Sequence, residues 1–255
     1  MGTADRLAAA VDGRGDDRRR ELNRPAFVLH SRPWKETSLV LELFTRSHGR
    51  VAAVAKGARR PHSQLRGVLM AFAPLQVTWS GKGELRLLHA AEWQGGIPQL
   101  SGVSLLCGFY LNELLMKVLA REDPHERLFD AYQQAIRSLT PGGGHAAALR
   151  RFERQLLVEL GYAVALVHDA ASGAPLRPDE RYRYHPERGA LLLDRTDGDG
   201  PCDVLGKTLI DMARDDYADA TTAAESKRLL RHLIHHHLGQ PELQTRLLIK
   251  ELQQI

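Results

Sequence analysis

Five short apolar runs, each of strand length, crowd into roughly seventy residues of this chain. They are Phe27–His30, Ser38–Phe44, Val51–Ala55, Leu75–Trp79 and Leu85–His89. Breakers separate them at Arg32-Pro33, Ser47-His48-Gly49 and Gly81-Lys82-Gly83. Runs this short cannot bury a helical face, and turns this frequent bring successive strands together as neighbours. Five such strands fit a small closed or partly open barrel better than a sandwich. With basic loops and a glycine-turned final hairpin, the pattern predicts a five-stranded OB-fold.

Charge is concentrated in the same stretch. Residues 24–92 hold 11 Lys+Arg against 4 Asp+Glu, a local excess of +7, although the whole chain carries only +4. Residues 1–23 hold 5 of each sign, and residues 93–255 hold 19 basic against 22 acidic. A basic module of this kind neutralises phosphates and releases their counterions, so a polyanion is the expected ligand, nucleic acid ahead of a membrane surface. The predicted contacts are Arg32, Lys35, Arg50, Lys56, Arg59, Arg60, Arg66, Lys82 and Arg86. The densest cluster, Lys56-Gly57-Ala58-Arg59-Arg60, follows a predicted strand and belongs at a barrel rim. Trp34 and Trp79 either stack on unpaired bases or fill the core, and the sequence alone does not separate these roles.

The remainder changes period. Residues 1–23 are rich in Gly, Asp and Arg and read as a flexible tail. After residues 24–95, the OB-fold, comes a mainly helical domain over 96–255, making the class α+β. Helices are predicted at Ser101–Arg121, His125–Leu139 and His145–Leu160, with a turn at Thr140–Gly144. Further helices are predicted at Val204–Arg214, Thr222–Leu238 and Pro241–Leu252. Between them, residues 162–202 form an irregular insert with a hairpin pairing Tyr182–His185 against Ala190–Leu193. No apolar run is long enough to cross a bilayer and no secretory signal opens the chain, so a cytoplasmic protein is expected. Cys107 and Cys202 are the only cysteines, too few for a disulfide framework or a thiolate zinc site.

Several motifs bear on chemistry. Gly200–Thr208 resembles a phosphate-binding P-loop, but five residues separate its glycines where four are needed, and Pro201 removes an N–H. The run His232-Leu233-Ile234-His235-His236-His237 lacks the Glu that a zinc-protease helix carries after its first His. The basic module keeps only Glu36, Glu42, Glu84 and Glu92, too dispersed for a metal-dependent nuclease. The chain therefore reads as a non-enzyme with no cofactor and no metal. Arg150, Arg151 and Arg154 form a basic patch pointing away from the apolar stripe of their helix. It is either a solvated face or a dock for an acidic partner segment. A nuclease, an RNA-binding OB protein and a pure protein scaffold are the rival readings. Metal-dependent cleavage, preference for RNA, or no DNA affinity at moderate salt would mark each in turn.

The ordered motifs Ala26–Ser38 (AFVLHSRPWKETS), Gly49-Arg50-Val51, Val54–Arg59 (VAKGAR), Leu100-Ser101-Gly102, Tyr110–Leu115 (YLNELL), Ala148–Glu153 (ALRRFE) and Leu160-Gly161-Tyr162 resemble the RecO family of recombination mediators. The resemblance runs from residue 25 to about 238 and implies an OB-fold that binds single- and double-stranded DNA, followed by a helical domain. It further implies annealing of complementary strands, binding of RecR, and assistance in loading RecA onto strands coated by single-stranded-DNA-binding protein. In that family the coat protein's acidic, apolar-ended tail docks on the helical domain. A basic residue at the place of Arg150 takes part, which makes Arg150 and its neighbour Arg151 candidate carboxylate anchors. Such proteins are bacterial, cytoplasmic and nucleoid-associated. Some members carry a four-cysteine zinc element in the insert. Here that region keeps only Cys202, so the insert is expected to hold itself by packing.

Overall fold

The computed structural model describes residues 20–139, 144–162, 165–194, 200–237 and 243–245. Residues 1–19 of the expected tail, residues 140–143 of the expected turn and most of the expected helix at Pro241–Leu252 lie outside them. The chain divides into two compact units, Met1–Arg137 and Ser138–Ile255.

The first unit begins with β1 (Arg20–Trp34), β2 (Ser38–Thr45), β3 (Gly49–Ala55), β4 (Leu75–Ser80) and β5 (Arg86–Trp93). They close a barrel in the order β1-β2-β3-β5-β4. All neighbours are antiparallel except β3 and β5, which run parallel. This is the predicted OB-fold. Strand β1 starts earlier than its apolar run because its first half pairs with β4 and its second half with β2. Register shifts at Glu21/Arg24 and Val28/His30 accompany that change of partner, the bending that a bulged strand provides. Inside, Val28, Leu41, Leu43, Leu75, Val77, Trp79 and Leu88 form one buried cluster. Strand β4 alternates buried and half-buried positions without a break, the period-two pattern of a strand with one face in the core.

Two helices, α1 (Gly102–Val118) and α2 (Glu126–Ser138), follow the barrel. Phe27 and Phe44 pack against Phe129 and Tyr132 of α2, with ring centroids 5.0–6.0 Å apart. Beneath them the Tyr132 hydroxyl donates to Asn112 Oδ1 at 2.6 Å, and Asn112 Nδ2 donates to the Leu29 carbonyl at 2.9 Å. A buried polar pair that bonds back to a strand carbonyl fixes the helices against one register of β1, since leaving either group unpaired would be costly. Gly49 makes the tight approach possible. It has φ +62°, and a Cβ there would lie 1.9 Å from the Asp123 carbonyl oxygen.

The second unit contains α3 (His145–Glu159), β6 (Arg181–His185), β7 (Gly189–Leu192), β8 (Asp203–Leu205), α4 (Gly206–Ala213) and α5 (Ala220–His237). The predicted hairpin is present, with Tyr182 opposite Leu192 and Tyr184 opposite Ala190. Strand β8 adds to its other edge, giving the order β7-β6-β8. The helix expected from Val204 starts only at Gly206. Val204 is drawn into the sheet opposite Tyr182, and Glu225 Oε2 accepts both the Leu205 N–H and the Thr208 hydroxyl.

Two carboxylates organise the insert. Asp169 accepts from the backbone N–H groups of Ala171, Ser172 and Leu192 and from the Ser172 hydroxyl, at 2.7–2.9 Å. Asp203 receives two nitrogens of Arg183 at 2.8 and 2.9 Å and the Gly200 N–H at 2.6 Å. Multiple donors hold both carboxyls below the usual carboxylate range, led by the Ser172 N–H for Asp169 and by Arg183 for Asp203.

Candidate nucleic-acid interface

Two turns of the barrel are tied together by their own backbones. The β1–β2 turn carries Lys35, which adopts φ +51°, and the segment after β3 carries Lys56, Arg59 and Arg60. The Arg59 N–H donates to the Thr37 carbonyl at 2.8 Å, the Arg59 guanidinium to the Glu36 carbonyl at 3.3 Å, and the Gly57 N–H to Ser38 Oγ at 3.3 Å. These bonds bring the two basic segments to one place. Arg32, Lys35, Lys56, Arg59, Arg60 and Arg66 are all exposed, and none forms an ion pair with another described residue. Like charges left exposed on neighbouring segments create a local positive potential. Lys82, also exposed, lies in the β4–β5 turn.

Arg50 and Arg86 are placed differently. The Arg50 guanidinium stands 3.7 Å from Glu42, donates to the Met116 carbonyl, and is largely buried; burial lowers its pKa. Arg121 pairs with the same Glu42. Arg86 donates to the Gly81 carbonyl at 2.7 Å and pairs with Glu122 at 2.6 Å. Arg50 joins the barrel to α1, and Arg86 joins it to the segment between α1 and α2, so both cationic ends are engaged within the fold. The tryptophans also divide. Trp79 is buried in the barrel beside His48. Trp34 is half-buried against an outer cluster of Val40, Ala52, Val54 and Leu85. The exposed aromatic of the barrel is Trp93, 61% exposed at the end of β5. Sequence reasoning passed over it, although a tryptophan closing a strand just before Gly95-Gly96 was the available signal.

In the second unit, Arg150 is not on a solvated face. It is buried and its guanidinium meets Glu153 at 2.7 Å, one turn along α3. Arg151 is exposed, donates to the Asp215 carbonyl at 2.9 Å, and lies 5.9 Å from the Tyr217 ring centre. Arg154 pairs with the Asp215 carboxylate at 2.8 Å. Tyr217 is buried with its hydroxyl unpartnered, as are the Nε atoms of Arg150 and Arg154; burial pushes the phenol pKa up to about 12. Of the three guanidiniums, that of Arg151 is exposed, whereas those of Arg150 and Arg154 are already paired with Glu153 and Asp215. In the histidine run, His237 stacks on Tyr162 with ring centroids 3.3 Å apart. Among the described residues no group of three or more His, Cys, Asp or Glu could hold a metal ion, and no helix is long and apolar enough to cross a membrane.

Comparison with known proteins covers most of the chain. The family described as "Recombination protein O N terminal" matches residues 20–96, and "Recombination protein O C terminal" matches residues 99–246. The DNA repair protein RecO of Nitrosospira multiformis is 52% identical over 239 residues, covering 94% of this chain and 99% of that protein. That of Azoarcus sp. is 56% identical over 230 residues, covering 89% and 94%. That of Dechloromonas aromatica is 48% identical over 237 residues, covering 91% and 97%. With both halves matched in order, and the first of them folded as a closed five-stranded barrel, this chain belongs to the RecO family of DNA repair proteins.

Proposed function

We propose that this protein is a recombination mediator that works by binding, without covalent chemistry, at DNA in the bacterial cytoplasm. Its barrel holds single- and double-stranded DNA and anneals complementary strands. Its second unit docks the acidic tail of single-stranded-DNA-binding protein, and with RecR it assists loading of RecA. The observation that carries this reading is the rim where Lys35, Lys56, Arg59 and Arg60 are brought together by the bonds from Arg59 and Gly57. Arg32, at the end of β1, flanks it, whereas Lys82 sits apart, beside Ser47 and His48 of the β2–β3 turn. Two strands laid on one cationic surface repel each other less, which lowers the barrier to pairing.

The second contact rests on Arg150, Arg151, Arg154 and Tyr217. Arg150 is pre-positioned by Glu153, so a carboxylate docking there meets a guanidinium whose orientation is already set. Tethering the mediator to a coat tail raises its effective concentration at coated DNA without any new DNA contact.

Charge reversal at the rim tests the reading. The triple variant K56E/R59E/R60E is expected to bind oligonucleotides more weakly and with a flatter dependence on salt, measured by fluorescence anisotropy across a salt series. Wild-type affinity and slope in that variant would remove the rim from the interface.

A further inference from the structure

The first unit contains an apolar groove of about 610 Å³ that the basic rim does not account for. Val68, Met70 and Phe72 line it from the segment between β3 and β4, Trp93 from the end of β5, and Leu100 and Phe109 from the approach to α1 and from α1 itself. No charged side chain lines it. Trp93 is 61% exposed, and Met70 and Phe109 are each 42% exposed. Phe109 meets Phe72 edge-on at 5.1 Å, so its ring is braced on one side and open on the other. Gly108 lets the helix come this close, since a Cβ there would lie 2.8 Å from the Phe72 ring.

Chain continuity links the groove to the cations. The segment Lys56–Arg66 carries Lys56, Arg59, Arg60 and Arg66, and the next two residues, Gly67 and Val68, are already groove wall. A ligand laid along this segment would meet a row of positive charge and then an aromatic, uncharged recess. Unpaired nucleotides have that chemistry, with phosphates along one side and a flat apolar face on the other. Stacking needs no polar donors, so a groove without them still holds any base. A duplex keeps its bases stacked inside and gains nothing from it.

We propose that this groove receives the unpaired bases of single-stranded DNA, with Trp93 and Phe109 as the stacking faces. Trp93 and Phe109 are then the residues that let the barrel favour single strands over duplex. The inference rests on the barrel being a DNA-binding module, and the test separates the two.

The experiment compares wild type, W93A, W93F and K56E/R59E/R60E for binding of labelled oligo-dT and of an equal-length duplex, across a salt series. Trp93 is at an exposed strand end, so W93A is expected to fold, and a thermal melt checks it. W93A should weaken oligo-dT binding about tenfold, the loss of one base–aromatic stack. Its duplex affinity and salt slope should stay at wild type, and W93F should recover most of the loss. The triple variant should lose both ligands. If W93A binds oligo-dT as wild type does while the triple variant fails, the groove assignment is overturned and the barrel reading stands. If neither variant differs from wild type, both are overturned. A tryptophan-emission response, lost in W93F, that ignores oligo-dT but follows an acidic, aromatic-ended peptide would give the groove to a protein partner and overturn the proposal.

Discussion

The two units use arginine in opposite ways. On the barrel rim Arg32, Arg59, Arg60 and Arg66 are exposed and form no ion pair with another described residue. In the second unit Arg150, Arg154 and Arg183 each meet a carboxylate within 3 Å. An unpaired surface cation contributes little to folding and keeps its full attraction for a passing polyanion. A buried, paired one orients its guanidinium at a cost in desolvation, and contributes shape and direction rather than long-range field. The first arrangement suits a ligand recognised by charge density, the second a ligand recognised by one well-placed carboxylate. Arg50 and Arg86 show that the division is not simply one of domain, because these two barrel arginines behave like those of the second unit.

The sharpest way to break this contrast is to remove a buried partner. Glu153→Ala leaves the Arg150 guanidinium buried beside no carboxylate, and is expected to cost on the order of 3 to 5 kcal/mol in chemical denaturation. By contrast Arg46→Ala, which breaks an exposed pair with Asp130, should leave the denaturation midpoint unchanged. Equal effects would mean that burial does not distinguish the two kinds of pair.

Next in size is the rim. Reversing Lys56, Arg59 and Arg60 removes about three phosphate contacts, which should reduce single-strand affinity on the order of a hundredfold near 0.1 M salt. The slope of log affinity against log salt should fall by about 2. The melting temperature should hold.

Asp169 comes third. It gathers four donors within the insert. Asp169→Ala should destabilise the second unit by about 2 kcal/mol through donors left without an acceptor. Its folded pKa is depressed, so its contribution is complete above the unfolded value near pH 4 and is lost as pH falls through the folded value. Acid titration of stability should therefore show a loss below about pH 4 that is smaller in Asp169→Asn. The smallest effect is expected of Tyr217→Phe. Its hydroxyl is buried and has no partner among the described residues, so both stability and binding of a carboxylate-ended tail peptide should hardly change.

Much of the barrel was readable because β3, β4 and β5 lie between Gly or Pro turns and their apolar residues recur at strand spacing, whereas β1 runs through the expected breaker Arg32-Pro33, pairing Pro33 with Leu39. The hairpin of β6 and β7 was readable for the same reason. Strand β8 was not. Three residues carry no period, and what fixes them is the sheet edge of β6 and a carboxylate twenty residues away at Glu225. The candidate site followed the same rule. Exposed cations in turns, such as Lys35 and Lys56, could be placed from their neighbours in sequence. The engagement of Arg86 by Glu122, thirty-six residues on, and the burial of Trp79 depend on closure of the barrel. The burial of Arg150 was not legible, because its carboxylate lies on the same helix at a spacing that is usually a surface pair. Trp93 was passed over because its meaning comes from Phe109 and Phe72, which reach the same groove from other segments.

The central claim is that one unit holds DNA and the other holds the coat protein. It is tested most directly by strand-annealing rates on naked strands and on strands coated by single-stranded-DNA-binding protein with an intact or truncated tail. Wild type, K56E/R59E/R60E and R151E would be compared. The account predicts that the rim variant loses annealing on every substrate. It predicts that R151E loses it only on strands with the intact-tailed coat, and that wild type anneals those strands faster than tail-truncated ones. A rim variant that anneals naked strands at the wild-type rate would contradict it.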